Sequence, residues 1–145
     1  MEISVATQDD KAAWLPLWQA YLSFYANPLP DEMTDLTFAR FLDPAESMSM
    51  LVAKEDGRML GYATYLFHRS TWAPEGYCYL EDLYVDEPAR RRGVARTLIE
   101  AVAVAARTQG SSRLYWITHD DNIRARALYD TLAENHGFVT YQRPL

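Results

Sequence analysis

Polar and apolar residues alternate from Glu2 to Ala6, which predicts a first strand. Thr7, Asp9 and Asp10 follow as candidate helix caps, and the period then changes. Trp14, Leu17, Trp18, Tyr21, Leu22 and Tyr25 recur at helical spacing, an aromatic stripe best suited to a core. Pro16 either sits near the start of that helix, where a missing N–H does least harm, or kinks it. Asn27-Pro28-Leu29-Pro30 reads as a loop. A short helix beginning at Thr34 or Asp35 turns Leu36, Phe38, Phe41 and Leu42 inward and ends before Pro44.

Two strands come next, Ser47–Lys54 and Arg58–His68, joined at a Glu55-Asp56-Gly57 hairpin turn. Ser70–Gly76 reads as a loop, and Tyr79–Val85 as a strand that stops at Pro88. From Gly93 a helical face carries Val94, Leu98, Val102 and Ala105/Ala106, with Ile99 beside them. The tail of the chain predicts a strand over Ser112–Thr118, a helix from Asn122 to about Glu134, and a last strand over Phe138–Arg143. The result is a mixed α/β sheet with helices on both faces, in one domain spanning residues 1–145.

One junction breaks a local rule. Arg90, Arg91 and Arg92 stand where a helix begins, at the positive end of its dipole, where acidic residues are usual. A bound anion reverses that sign, because free N–H groups at a helix start favour phosphate. Gly93 and the small Ala95 leave room for a ligand to approach the backbone. On these residues alone, anion binding and a solvated basic turn both stay open. The nucleoside-triphosphate loop GxxxxGK[ST] and the dinucleotide fingerprint GxGxxG are absent.

Composition narrows the field. With 145 residues, 49% hydrophobic and 23% charged, the chain is an ordinary globular domain. A net charge of −6 argues against general nucleic-acid affinity and fits a cationic substrate. Cys78 is the single cysteine, so no intrachain disulfide forms. No secretory signal and no apolar run of about 18 residues is visible, which makes a cytoplasmic protein with no membrane partner the expectation. The histidines, Cys78 and the carboxylates show no metal-ligand spacing.

Arg90-Arg91-Arg92-Gly93-Val94-Ala95 resembles the R/Q-x-x-G-x-G/A signature of the GNAT superfamily of acetyl-CoA-dependent N-acetyltransferases, with Ala95 in place of the commoner glycine. The preceding Leu80-Glu81-Asp82-Leu83-Tyr84-Val85 is similar to the same strand of the spermidine/spermine and yeast HPA-type acetyltransferases. Asn122-Ile123-Arg124-Ala125-Arg126-Ala127-Leu128-Tyr129 resembles the family's N-x-x-A-x-x-L-Y helix. The resemblance implies the GNAT fold, a mostly antiparallel sheet in which a splayed strand pair holds the coenzyme. It implies acetyl-CoA as co-substrate, no metal, and an acetyl group passed to an amine by direct attack in a ternary complex. The loop Arg90–Arg96, with Arg90, Arg91, Arg92, Gly93, Val94, Ala95 and Arg96, would hold the pyrophosphate. The strand through Leu83, Tyr84 and Val85 would lend backbone hydrogen bonds to the pantetheine arm, and Asn122 would contact the coenzyme.

The chemistry assigns further roles. A lysine-like amine has a pKa of about 10.4, so a proton must leave before attack, and a carboxylate is the simplest acceptor. Glu81 and Asp82 are the candidates, and the resemblance places this pair at the acceptor site. Neighbours in a regular strand point to opposite faces, so one of them faces the cleft unless a bulge turns both to it. By the resemblance Tyr129 protonates the departing thiolate; on the residues alone it reads as a core tyrosine with a satisfied hydroxyl. His119 follows a strand end and either touches substrate or caps its loop. Asp31, Glu32 and Asp35 are either a solvated helix start or a counter-charge for an entering amine. The expected acceptor is a small cationic amine, a polyamine or amino acid. A protein or peptide amine competes with it, and a CoA-binding sensor without catalysis is the alternative of another class. The family resemblance also implies a homodimer, often formed through the C-terminal strands.

Overall fold

Strand β1 (Glu2–Val5) pairs with β2 (Met48–Glu55), β2 with β3 (Arg58–Ser70), and β3 with β4 (Ala73–Val85), all antiparallel. Strand β5 (Leu114–Tyr115) runs parallel to β4. The computed structural model describes residues 1–145, and its one five-stranded sheet has the order β1-β2-β3-β4-β5. The helices are α1 (Lys11–Phe24), α2 (Asp31–Leu42), α3 (Val94–Thr108) and α4 (Ile123–Tyr129). None is long and apolar enough to cross a membrane.

The sheet is covered on both faces. On one face Trp14, Trp18, Phe38 and Phe41 of α1 and α2 pack on Met50, Val52 and Tyr62. On the other, Val94, Leu98, Ile99 and Val102 of α3 pack on Leu51, Ala53, Ala63 and Leu80. This explains why β2 reads as a continuous apolar run rather than an alternation: residues 50–53 point alternately into two cores. Each large side chain so buried contributes about 1.5–3 kcal/mol.

Several elements depart from the sequence expectation. Helix α2 starts at Asp31, three residues early, because Pro30 with φ −59 presets the entry. Phe38 and Phe41 are buried as expected, but Thr34 and Thr37 share the inward face with them and Leu36 is 45% exposed. Thr34 is paid for by Trp18, whose Nε1 donates to its hydroxyl at 3.1 Å. Pro16 lies inside α1 on its exposed face, and the helix runs on past it. The turn between β2 and β3 is Asp56-Gly57, with both φ values positive at 50 and 76, the hairpin geometry that matches strand twist.

The Ser70–Gly76 loop is instead a tight turn at Thr71-Trp72, and both strands run through the rest. Gly76, at φ 88, lets the His68 carbonyl approach where any side chain would collide, so this breaker marks a register irregularity rather than a loop. Strand β5 has two residues, not the seven of Ser112–Thr118, and α4 ends at Tyr129 rather than near Glu134. Just past its end the Thr131 hydroxyl donates to the Leu128 carbonyl at 2.7 Å. The final strand is absent: Phe138 and Tyr141 are 93% and 92% exposed, and no strand of this chain pairs with the segment.

Candidate active site

The site forms where β4 and β5 part. They are paired only at Cys78–Leu114 and Tyr79–Tyr115. Beyond these pairs β4 runs on to Val85 with no strand on its β5 side, so its backbone edge there is open. This is the splayed pair the sequence implied. Tyr21, Tyr25, Leu80, Glu81, Leu83, Trp116, Ile117, Thr118 and Tyr129 line a narrow cleft in the splay. A second hollow, between the end of α2 and the starts of β2 and β3, lies away from these groups.

A bulge decides the fate of the two acids. Thr64 pairs with Asp82 and Tyr65 with Leu80, leaving Glu81 as the extra residue of β4. Leu80 and Leu83 pack on the α3 side, whereas Tyr84 packs with the α1 side. With one residue inserted, Glu81 and Asp82 both turn toward α1. Glu81 lines the cleft, and Asp82 lies behind it against β3 and Tyr21.

The two carboxylates sit in different surroundings. Burial raises the Asp82 pKa, and hydrogen bonds from Thr64 and Tyr21 pull against that rise. The Thr64 hydroxyl donates to Asp82 Oδ2 at 2.5 Å and accepts the Asp82 N–H at 3.1 Å. Burial raises Glu81 as well, with the Asp82 charge adding to it. Neither forms an ion pair. Tyr21 is pushed far up by burial and by Asp82, so it stays a neutral hydroxyl.

Tyr129 closes the other side. Its ring meets Trp116 edge to face, and burial raises its pKa, with Tyr25 adding to the rise. The helix that presents it is short and depends on Asn122, whose Oδ1 accepts the Ala125 N–H at 3.4 Å while Nδ2 donates to Thr118 at 3.1 Å. Asn122 is thus the N-cap that ties α4 to the β5 strand end.

The arginine loop is divided in labour. Arg90 Nε donates to the Val85 carbonyl at 3.1 Å, and its guanidinium lies 5.8 Å from the Tyr84 ring centroid. Arg92 is paired with Glu55, and Arg96 donates to Thr131 at 2.8 Å. Arg91 is exposed and has no hydrogen-bond or ion-pair partner. Gly93 adopts φ 81, and nothing lies within 4 Å of where its side chain would be. The N–H groups of residues 91–96 meet no backbone acceptor, the first bond of the helix being Thr97 N–H to Gly93 O at 3.0 Å. Six free donors, an open glycine and a free guanidinium suit a polyanion.

Residues 14–133 match the acetyltransferase (GNAT) family. The chain belongs to this family. It is an acetyl-CoA-dependent N-acetyltransferase. It is similar to the D-amino-acid N-acetyltransferase HPA3 of Saccharomyces cerevisiae, 40% identical over 136 residues, 92% of this chain and 84% of that protein. The thialysine N-epsilon-acetyltransferase of Caenorhabditis elegans is 39% identical over 87 residues, 57% of this chain and 54% of that protein. In fold the GNAT chain is similar to the aminoglycoside acetyltransferase AAC(6')-Iy in complex with a bisubstrate analogue, with a TM-score of 0.86 at 21% identity over 99% of this chain and 97% of that one.

Some expected residues take other parts in this GNAT site. Val94 is buried in the core and the Tyr84 side chain faces α1, so neither side chain points into the splay. His119 is exposed, its ring 6.0 Å from that of Tyr25. Asp35 pairs with Lys11 at 2.8 Å, and Asp31 and Glu32 are solvated. Trp116 and Thr64 were not singled out from sequence, although a lone threonine within the apolar Gly61–Phe67 run is a signal in itself.

Proposed function

We propose that the enzyme acetylates a small cationic amine, a polyamine or an amino acid side-chain amine, by direct attack in a ternary complex. The observation that carries this reading is the bulge at Glu81, which sets Glu81 on an aromatic-walled cleft with Asp82 behind it, neither carboxylate having a cationic partner. Such a cleft attracts an ammonium group through its charge and through the faces of Tyr21 and Tyr25. The printed activities of the relatives, on D-amino acids and thialysine, lie in the same chemical class.

Acetyl-CoA supplies an acetyl thioester. The free N–H groups of residues 91–96 and the Arg91 guanidinium hold the pyrophosphate. Arg90 props the loop on β4. The open β4 edge at Leu83, Tyr84 and Val85 offers backbone hydrogen bonds to the pantetheine arm, and a donor there faces the carbonyl as charge develops, worth roughly 10²–10³ in rate. Glu81 draws in the ammonium form of the acceptor. Asp82 takes its proton, directly or through one water, since burial raises its pKa and a stronger base holds the proton better. The amine nitrogen then forms its bond to the acetyl carbon, the carbon–sulfur bond breaks, Tyr129 donates its phenolic proton to the thiolate, and the acylated nitrogen gives up its remaining extra proton to the tyrosinate, directly or through water, leaving the neutral amide.

The enzyme works as a homodimer in this reading. Phe138, Val139 and Tyr141 form a strand-patterned, exposed segment, and the outer edge of β5 is unpaired. A second copy supplies the missing strand. Sedimentation of the full chain and of a chain ending at residue 136 tests this: a full-length monomer sinks it.

The activity itself is tested by thiol release from acetyl-CoA over a panel of polyamines, L- and D-amino acids, aminoglycosides and lysine peptides. Release with a small amine, lost in Tyr129→Phe, is the expected result. Release with peptides alone overturns the small-molecule reading.

A further inference from the structure

The Thr64 hydroxyl has one proton and two neighbours on the same residue. It accepts the Asp82 N–H at 3.1 Å, which orients its lone pairs toward the β4 backbone. Its own proton is therefore directed to Asp82 Oδ2, at 2.5 Å. Thr64 is buried, and it sits opposite Asp82 in the last regular pair before the bulge. The register that creates the two-acid site thus also places this donor.

We propose that Thr64 is the positioning residue of the reaction: its hydroxyl holds the Asp82 carboxylate in one orientation and donates a hydrogen bond to its charged form. The inference rests on the reading of Asp82 as proton acceptor.

The surroundings explain why the role falls to Thr64. Helix α1 brings Tyr21 and Tyr25 to Asp82, β3 brings Tyr62, and β4 itself brings Tyr79, Glu81 and Tyr84. The loop after β5 brings His119 only as far as Tyr25. None of these is a lysine or arginine, so no cation stabilises the carboxylate. The Tyr62 hydroxyl is buried there with no hydrogen bond of its own. Burial favours the protonated acid, which could not act as a base. Thr64 and Tyr21 are the groups that oppose it, and of the two Thr64 is fixed in the sheet.

The test is the pH profile of kcat/KM for the full chain, its Thr64→Val, Thr64→Ser and Asp82→Asn variants, and the Thr64→Val/Asp82→Asn double variant. Valine keeps the shape and removes the hydroxyl; serine keeps the hydroxyl. A hydrogen bond to a charged group is worth about one to two pH units. We expect Thr64→Val to move the acidic limb up by about one to two pH units, with activity at high pH within a few-fold of wild type. Thr64→Ser keeps the wild-type limb, and the double variant shows no limb. An unchanged limb in Thr64→Val with reduced activity at every pH would leave a packing role only and overturn the inference. Should the valine variant fail to fold, Thr64→Cys, of similar size with a weaker donor, is read the same way. If Asp82→Asn retains the limb, the base assignment itself fails. If Asp82→Asn loses it and Thr64→Val leaves it in place, only the role of Thr64 fails.

Discussion

The rings of Tyr129 and Trp116 meet at 64°, with centroids 5.4 Å apart. The contact joins the last residue of α4 to the first residue of the β5 segment that has left the sheet. It sets the phenol at the splay without using its hydroxyl, so the hydroxyl remains for chemistry.

Tyr129→Phe should therefore preserve the fold and the Trp116 contact and remove one proton donor. Turnover is expected to fall by roughly 10²–10⁴, with acetyl-CoA affinity within a few-fold of wild type. Thiol release and calorimetric titration measure the two. Wild-type turnover in the variant would take Tyr129 out of the mechanism.

Asp82 predicts a pH dependence with a definite sign. Burial raises its pKa above the ordinary carboxylate value, and a base acts only when ionised. Activity should fall as pH drops through that raised value, so the acidic limb lies above the usual carboxylate range. Asp82→Asn should lose the limb and at least roughly 10² in rate. Glu81→Gln should keep the limb and chiefly raise the acceptor KM. Because the folded pKa exceeds the unfolded one, the Asp82 carboxyl favours the folded state at low pH and opposes it once ionised. The Tm of Asp82→Asn at neutral pH should consequently be no lower than wild type, separating a catalytic loss from a structural one.

The arginine loop predicts an unequal alanine scan. Arg91→Ala removes the guanidinium without a protein partner and should raise the KM for acetyl-CoA about tenfold or more, with the effect shrinking at high salt. Arg92→Ala should do less, since Glu55 already neutralises that charge. Glu55→Gln should release Arg92 and lower the KM. An equal loss at all positions would mean that total charge, rather than the pairing seen here, governs binding.

Asp10 predicts acid sensitivity at the far end of the sheet. It is 3% exposed, accepts the Thr7 N–H at 2.8 Å and is paired with Lys54. Burial pushes its pKa up, but Lys54 and Thr7 outweigh burial and leave it below the ordinary value. Its stabilisation is thus present above the unfolded pKa and is lost as pH falls through the depressed folded value. Asp10→Asn should cost about 1–3 kcal/mol at neutral pH and progressively less in acid. A constant loss at all pH values would assign the effect to the turn alone.

Much of this was legible along the chain because it depends on neighbours in sequence. The periods of α1 and α3, the β2–β3 hairpin, the arginine-glycine junction and the Asn122–Tyr129 helix each follow from side chains a few residues apart. The failures share a different cause. The Ser70–Gly76 loop, the long β5 and the last strand were judged by local composition, whereas a strand exists only where another strand accepts its hydrogen bonds. Leu36 was assigned inward for its apolar character, yet it stands two residues, about 200° round the helix, from the buried Phe38.

The sequence by itself determined the family and marked the arginine-rich helix start, Glu81, Asp82 and Tyr129 as candidates, since all of these lie in contiguous motifs. The tertiary structure alone decided how they are arranged. A one-residue bulge opposite Thr64 turned both acids to the same face, Glu55 took the charge of Arg92 and left Arg91 free, and Trp116 fixed Tyr129 at the splay. Register, ion pairing and aromatic contact are relations between residues 13 to 37 positions or more apart, from Trp116–Tyr129 to Glu55–Arg92. No local pattern encodes them, because each arises only when packing brings distant strands and helices to one place.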